Sequence, residues 1–173
     1  KRQTKIHVID SLSAGGEVDL IVRKLNQLVT EGLDFEQVVD AITDYKSKTK
    51  LLFILAKVDN LVKNGRLSKL IGTVVGLLNI RMVGEASKTG TLELLQKARG
   101  QKKAIKAAFD ELLKAGYTGG NITIAHRNNE KFIEQFSAMI REKFAHASIE
   151  VLPTSGLCSF YAEEGGLLMG YEI

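Results

Sequence analysis

Three short segments carry residue types at spacings that suit the binding of an anion. The first runs Val8-Ile9-Asp10-Ser11-Leu12-Ser13-Ala14-Gly15-Gly16-Glu17 and sets hydroxyls and glycines where an apolar run gives way to a helical one. Backbone N–H groups at such a junction can hold phosphate or carboxylate, so Ser11, Ser13 and Gly15 are candidates for an anion-binding turn. Ser11 and Ser13 serve equally well as helix caps, and the pattern is neither a Walker loop nor the dinucleotide fingerprint. The second segment, Lys63-Asn64-Gly65-Arg66-Leu67-Ser68, fixes Arg66 in a tight turn between two apolar stretches. A guanidinium is shaped to grip a carboxylate bidentately, although a solvated turn arginine is the plainer reading. The third, Lys97-Ala98-Arg99-Gly100-Gln101-Lys102-Lys103, leads basic residues into a helix start. Positive charge there works against the helix dipole, so Arg99 belongs either to a binding patch or to a solvated charged turn.

Other chemistries find no support. No nucleophile–base pair is spelled out. One cysteine, Cys158, forms no internal disulfide, and His7, His126 and His146 show no ligand spacing with it, so neither a metal nor a cofactor is expected. A net charge of +4 is spread along the chain and aromatic residues make up only 6%, which argues against nucleic-acid binding. Apolar residues at 45% and charged residues at 25% are ordinary globular values. No uncharged apolar run reaches the roughly 18 residues of a membrane span. A cytoplasmic protein is the expectation.

Periodicity then predicts the elements that hold these segments. A strand over 5–10 leads into a helix with Val18, Ile21, Val22, Leu25, Leu28 and Val29 on one face, stopped at Gly32. Asp34 and Gln37 have the spacing of a capping box for a second helix. The continuous apolar run over 50–56 reads as a strand buried on both faces. A short helix ends at Asn64-Gly65, and an apolar helix follows over 67–78. Strands over 80–83 and 91–95 make a hairpin through Ser87-Lys88-Thr89-Gly90. Beyond it come a helix over 102–114, a strand over 121–125, a helix over 130–144, a strand over 149–152, a polar loop with Gly165-Gly166, and a strand over 167–171. This is the pattern of an α/β fold, a mixed β-sheet with packed helices. The lone first strand, with no sheet partner beside it, and a chain that opens on Lys1 instead of Met lead us to expect a truncated or processed product.

In order, VIDS, the Gly-rich turn, the paired helices, LVKNGRLSK, GLLNIR, KARGQKKA and the glycine-containing C-terminal loop resemble the DegV-like family of fatty-acid-binding proteins. The likeness covers essentially the whole chain. In that family the segment matching LVKNGRLSK reads roughly L-x-K-G-G-R-I-S and the one matching GLLNIR reads L-L-N-I-K-P. Gly15 stands where many members have serine. Where many have the histidine of H-x-G-P-G, alignment on Gly165 places Tyr161, whose hydroxyl can still donate to a carboxylate.

The resemblance implies a carrier that does no covalent chemistry and holds one long-chain fatty acid in a tunnel between a front and a rear domain. It implies a partner too, the ATP-binding subunit of a fatty acid kinase, to which the carboxylate is presented. Carried over by position, Arg66 and Tyr161 join the carboxylate network and Arg99 faces the kinase. Val74, Leu77, Leu78 and Ile80 line the tunnel, although core packing would use the same residues. The front-domain motifs T-S-Q-P-S and L-S-G-T-Y do not occur in this chain. Residues 1–78 therefore read as the last strand of the front domain plus connecting helices, and 79–173 as the α/β C-terminal domain, with the front domain missing. A tunnel wall left open would favour a homodimer, and lipid exchange implies peripheral membrane contact. Two rival readings stand beside this one: an α/β protein-interaction module without a lipid role, and a phosphate-handling enzyme built on the Gly15-Gly16 turn.

Overall fold

Five successive apolar residues, Leu51 to Leu55, require cover on both faces, and they find it at the centre of a sheet. The computed structural model describes residues 4–67 and 79–173. Among these, β1 (Thr49–Leu55), β2 (Ile80–Ala86), β3 (Leu92–Arg99), β4 (Asn121–His126), β5 (Ser148–Pro153) and β6 (Leu167–Glu172) form one mixed sheet in the order β3-β2-β1-β6-β4-β5. Every neighbouring pair is antiparallel except β4 and β5. The turn between β2 and β3 lies at Ser87–Gly90, as the sequence predicts. The division expected between residues 78 and 79 falls between β1 and β2, which are adjacent in the sheet.

The helices are α1 (Gly16–Thr30), α2 (Phe35–Ser47), α3 (Asp59–Lys63), α4 (Gln101–Lys114), α5 (Glu130–Lys143) and α6 (Gly156–Ala162). Alternation along the strands sends Leu52, Ile54, Val83, Ile122, Ile124 and Met169 to one face, where α4 and α5 bury them under Ala104, Ala108, Leu112, Phe132, Phe136 and Ile140. Each such side chain contributes roughly 1.5–3 kcal/mol of burial. Phe53, Leu55 and Met82 point to the other face and meet Leu61 of α3 and Ala162 of α6. On that same face α1 lies across β6 and β4, and α2 packs on α1 through Ile21, Leu28 and Ile42. The capping box of α2 forms: the Asp34 carboxylate accepts from Gln37 N, and the Gln37 side chain accepts from Asp34 N.

The approach of α1 is unusually close. A Cβ on Gly170 would lie 2.2 Å from Glu17 N, and one on Gly16 would lie 2.0 Å from the Thr123 carbonyl oxygen. Glycine at both positions lets helix and sheet touch backbone to backbone.

Two expectations are corrected. Residues 5–10 form no strand; Ile6 and Val8 are each 82% exposed, and the sheet edges are β3 and β5. The segment instead runs beside α2, where Lys5 pairs with Glu36 at 2.7 Å. An apolar alternation makes a strand only where another strand accepts its hydrogen bonds. The stretch read as a polar loop before Gly165 contains α6, too short to show helical periodicity. The helix expected over 67–78 lies outside the described residues except for Leu67.

The far end of β6 is tied to α2 and β4 through one carboxylate. Glu172 accepts from Asn121 N at 2.7 Å, from Asn121 Nδ2 at 3.0 Å and from the Tyr45 hydroxyl at 2.7 Å. Burial pushes its pKa up, but these hydrogen bonds outweigh burial and hold it below the usual value of 4.5. Burial and the bond to Glu172 push the Tyr45 hydroxyl well above its ordinary value, so it stays a donor. A carboxylate with a lowered folded pKa contributes stability that is complete above its unfolded pKa and is lost as pH falls through the folded one. Stability should therefore drop more steeply on acidification below pH 4.5 in the native sequence than in Glu172→Gln. Urea midpoints measured across that range check it, and parallel acid limbs for the two proteins would refute it.

Candidate functional site

The helices leave part of the second sheet face uncovered. Between the 12–14 segment, α3, α6 and the β2–β3 turn lies a cavity of about 610 Å³, within the range of roughly 300–1,000 Å³ usual for small-molecule sites. Leu51, Phe53 and Leu55 of β1 and Leu168 of β6 floor it. Leu61, Leu157, Cys158 and Tyr161 wall it, and Leu12, Ser13 and Ala14 rim it. Among the described residues, Arg66 is the only charged side chain lining it.

Arg66 owes its position to the end of α3. Gly65 takes φ 67°, Gly65 N–H donates to the Val62 carbonyl at 3.1 Å, and Arg66 N–H donates to the Leu61 carbonyl at 2.8 Å. That is the Schellman pattern of a helix C-terminus, and it fixes the Arg66 backbone. The guanidinium then reaches α6: Nε donates to the Tyr161 hydroxyl at 3.2 Å, and Cζ lies 5.5 Å from the centre of the Tyr161 ring. That hydroxyl accepts from Arg66, and among the described residues its own hydrogen has no acceptor. Cross-links hold α3 to α6 and its following turn. Asn60 N donates to Glu163 Oε1 at 2.8 Å, and Asn60 Nδ2 donates to the Phe160 carbonyl at 2.8 Å. Behind them Gly165 N donates to the Arg127 carbonyl at 2.9 Å, and Asn129 Nδ2 donates to the Gly165 carbonyl at 2.6 Å.

Arg66 and Tyr161, 95 residues apart in the chain, are thus brought together on the cavity with Ser13. Ser11 and Gly15 adjoin that rim but do not line the cavity, and Gly15 packs on Leu168. Neither Ser11 nor Ser13 caps α1; its N-cap is Gly15, with no side-chain cap. Ile80, half-buried at the start of β2, is not among the lining residues, and Met82 is fully buried in the core. Val74, Leu77 and Leu78 lie outside the described residues. Arg99 is exposed at the far end of β3; at about 3.3 Å per residue that is roughly 23 Å along the strand from Leu92, which lines the cavity.

Sequence reasoning missed Leu12, Thr91, Leu157 and Cys158. Leu12 has φ 53°, and Leu157 is 67% exposed on a helix that periodicity does not reveal. Among the described residues no group of three or more His, Cys, Asp or Glu is placed to hold a metal ion, and no helix is long and apolar enough to cross a membrane.

The family described as "Uncharacterised protein, DegV family" matches residues 1–171. The chain belongs to the DegV family. A DegV domain-containing protein of Streptococcus pneumoniae is 78% identical over 170 residues, which cover 98% of this chain and 60% of that protein. The DegV fold is also plain in three dimensions. The crystal structure of the Streptococcus pneumoniae Fatty Acid Kinase (Fak) B3 protein loaded with linoleic acid matches with a TM-score of 0.97 at 78% identity, over 98% of this chain and 60% of that one. A DegV family protein from Eubacterium eligens, loaded with heptadecanoic acid, matches with a TM-score of 0.95 at 39% identity, over 98% and 62%. The chain therefore spans about three fifths of the length of these DegV relatives.

Proposed function

We propose that this DegV protein is a non-enzymatic carrier that binds one long-chain fatty acid in the cavity on the second sheet face. The observation that carries the reading is the cavity's polarity among the described residues: an apolar floor and walls with one cation at the mouth, hydrogen-bonded to a tyrosine hydroxyl. A fatty acid asks for that pairing. Each buried methylene contributes about 0.8 kcal/mol, and a carboxylate leaving water must be paired or hydrogen-bonded. Arg66 and Tyr161 receive the carboxylate; Leu51, Phe53, Leu55 and Leu168 receive the tail. The fatty-acid-loaded relatives support the ligand class.

In this reading the carrier works in the cytoplasm and presents the carboxylate to the ATP-binding subunit of a fatty acid kinase, with Arg99 facing that subunit. Residues 79–173 make the rear domain, to whose sheet β1 is lent, and the rest of residues 1–78 connects it to a front domain that closes the tunnel. Native mass spectrometry with lipid extraction, on this chain and on the full-length gene product, tests it. One fatty acid per full-length protein, with weaker retention on the chain alone, is expected. Failure of the full-length protein to take up oleate or palmitate would overturn it and favour a protein-interaction module.

A further inference from the structure

The donors of the turn at residues 11–13 are turned inward. The Ser13 hydroxyl donates to Oε2 of Glu17. Glu17 is itself only 6% exposed, and its other oxygen accepts from Thr49 Oγ1 at 2.8 Å. Ser13 N–H donates to Ser11 Oγ at 3.3 Å, Leu12 N–H to Asp10 Oδ1 at 3.0 Å, and the Ser11 hydroxyl to the Ser13 carbonyl at 3.4 Å. Ser13 nevertheless lines the cavity. A serine hydroxyl has one hydrogen and two lone pairs. With the hydrogen committed to Glu17, only lone pairs remain on Ser13 Oγ for a further partner, and the bond to a carboxylate polarises it into a stronger acceptor. A fatty-acid carboxylate, which can only accept, meets repulsion here. A hydroxyl finds a partner.

We propose that Ser13, positioned by Glu17, is an acceptor subsite that takes the hydroxyl of a hydroxylated acyl chain and turns the carboxylate away toward Arg66. The inference rests on the lipid-binding reading and adds to it a ligand class and a direction of binding. The subsite is fixed in place from two sides. Behind it, Glu17 starts α1 where helix and sheet touch backbone to backbone. In front of it, Leu12 sits against the β2–β3 turn, where a Cβ on Gly90 would be 3.4 Å from Leu12 Cα. Glu17 touches no ligand and acts as a positioning residue.

The test is competition binding on the full-length gene product with stearate and a series of monohydroxystearates whose hydroxyl moves along the chain. One positional isomer should bind about tenfold tighter than its neighbours. In Ser13→Ala that preference, read as the ratio of each isomer's affinity to that of stearate, should vanish, since the contact to the added hydroxyl is removed. Glu17→Gln, whose amide can donate to Ser13 Oγ, should shrink the preference as well. A purely structural role would move stearate and all its isomers together. Identical positional profiles for the native protein and Ser13→Ala, both binding stearate, would overturn the subsite and leave the lipid reading intact. Failure of the native protein to bind stearate or any isomer would overturn both.

Discussion

Arg66→Ala in the full-length gene product is expected to weaken fatty-acid binding about tenfold while leaving the methyl ester of the same acid almost unaffected. The tail contacts are untouched by the substitution, and they supply most of the affinity. What is lost is a charge-assisted hydrogen bond, ordinarily worth about 1.5–3 kcal/mol; exposure of Arg66 at the cavity mouth puts it at the low end of that range. Tyr161→Phe should cost less, about threefold to fivefold, because a neutral donor is removed. The two losses should not multiply in the double variant, since Arg66 Nε and the Tyr161 hydroxyl are bonded to each other at 3.2 Å. Arg66→Lys should recover part of the affinity, as a point charge without the planar fork. Titration with a fluorescent acid and its ester decides the matter. Equal losses for acid and ester would mean that Arg66 only shapes the wall, and that the carboxylate lies elsewhere.

Much of the frame was legible in the chain because it rests on local rules. Asp34 and Gln37 announce α2, the apolar run across Leu51–Leu55 announces a central strand, and Ser87–Gly90 announces the β2–β3 turn. Where a partner decides the outcome, the local pattern misleads: residues 5–10 alternate like a strand yet pair with none. The site divides in the same way. Arg66 stood out by its own chemistry in a tight turn, but Tyr161 and its pairing with Arg66 came from resemblance to a family, since nothing in their spacing joins a turn to a helix 95 residues later. Leu12, Thr91, Leu157 and Cys158 were illegible for a different reason. A cavity is whatever part of a sheet face the helices leave bare, and that depends on where α1, α3 and α6 come to rest. The direction in which the Ser13 hydroxyl points depends in turn on Glu17 being buried beneath it.

Gly170→Ala is expected to destabilise the protein by about 3 kcal/mol or more, a large share of the roughly 5–15 kcal/mol that holds a domain folded. The added methyl would lie 2.2 Å from Glu17 N, 2.3 Å from Glu17 Cα and 2.4 Å from Gly16 C. All three atoms are backbone, so no rotamer change relieves the clash and α1 must lift. Gly170 does not have positive φ, and alanine suits a strand interior better than glycine does. The cost therefore isolates the contact between helix and sheet. Val22→Ala, at a position 55% exposed on the same helix, should change stability by less than about 0.5 kcal/mol. The lift would carry function with it. Residues 12–14 lead directly into α1 and rim the cavity, and Glu17 anchors Ser13, so whatever Gly170→Ala protein remains folded should also bind fatty acid more weakly. Urea denaturation of the three proteins, followed by acid binding on the folded fraction, measures both effects. An unchanged midpoint for Gly170→Ala would show that α1 does not rest on β6 at this distance, and the placement of the cavity rim would fall with it.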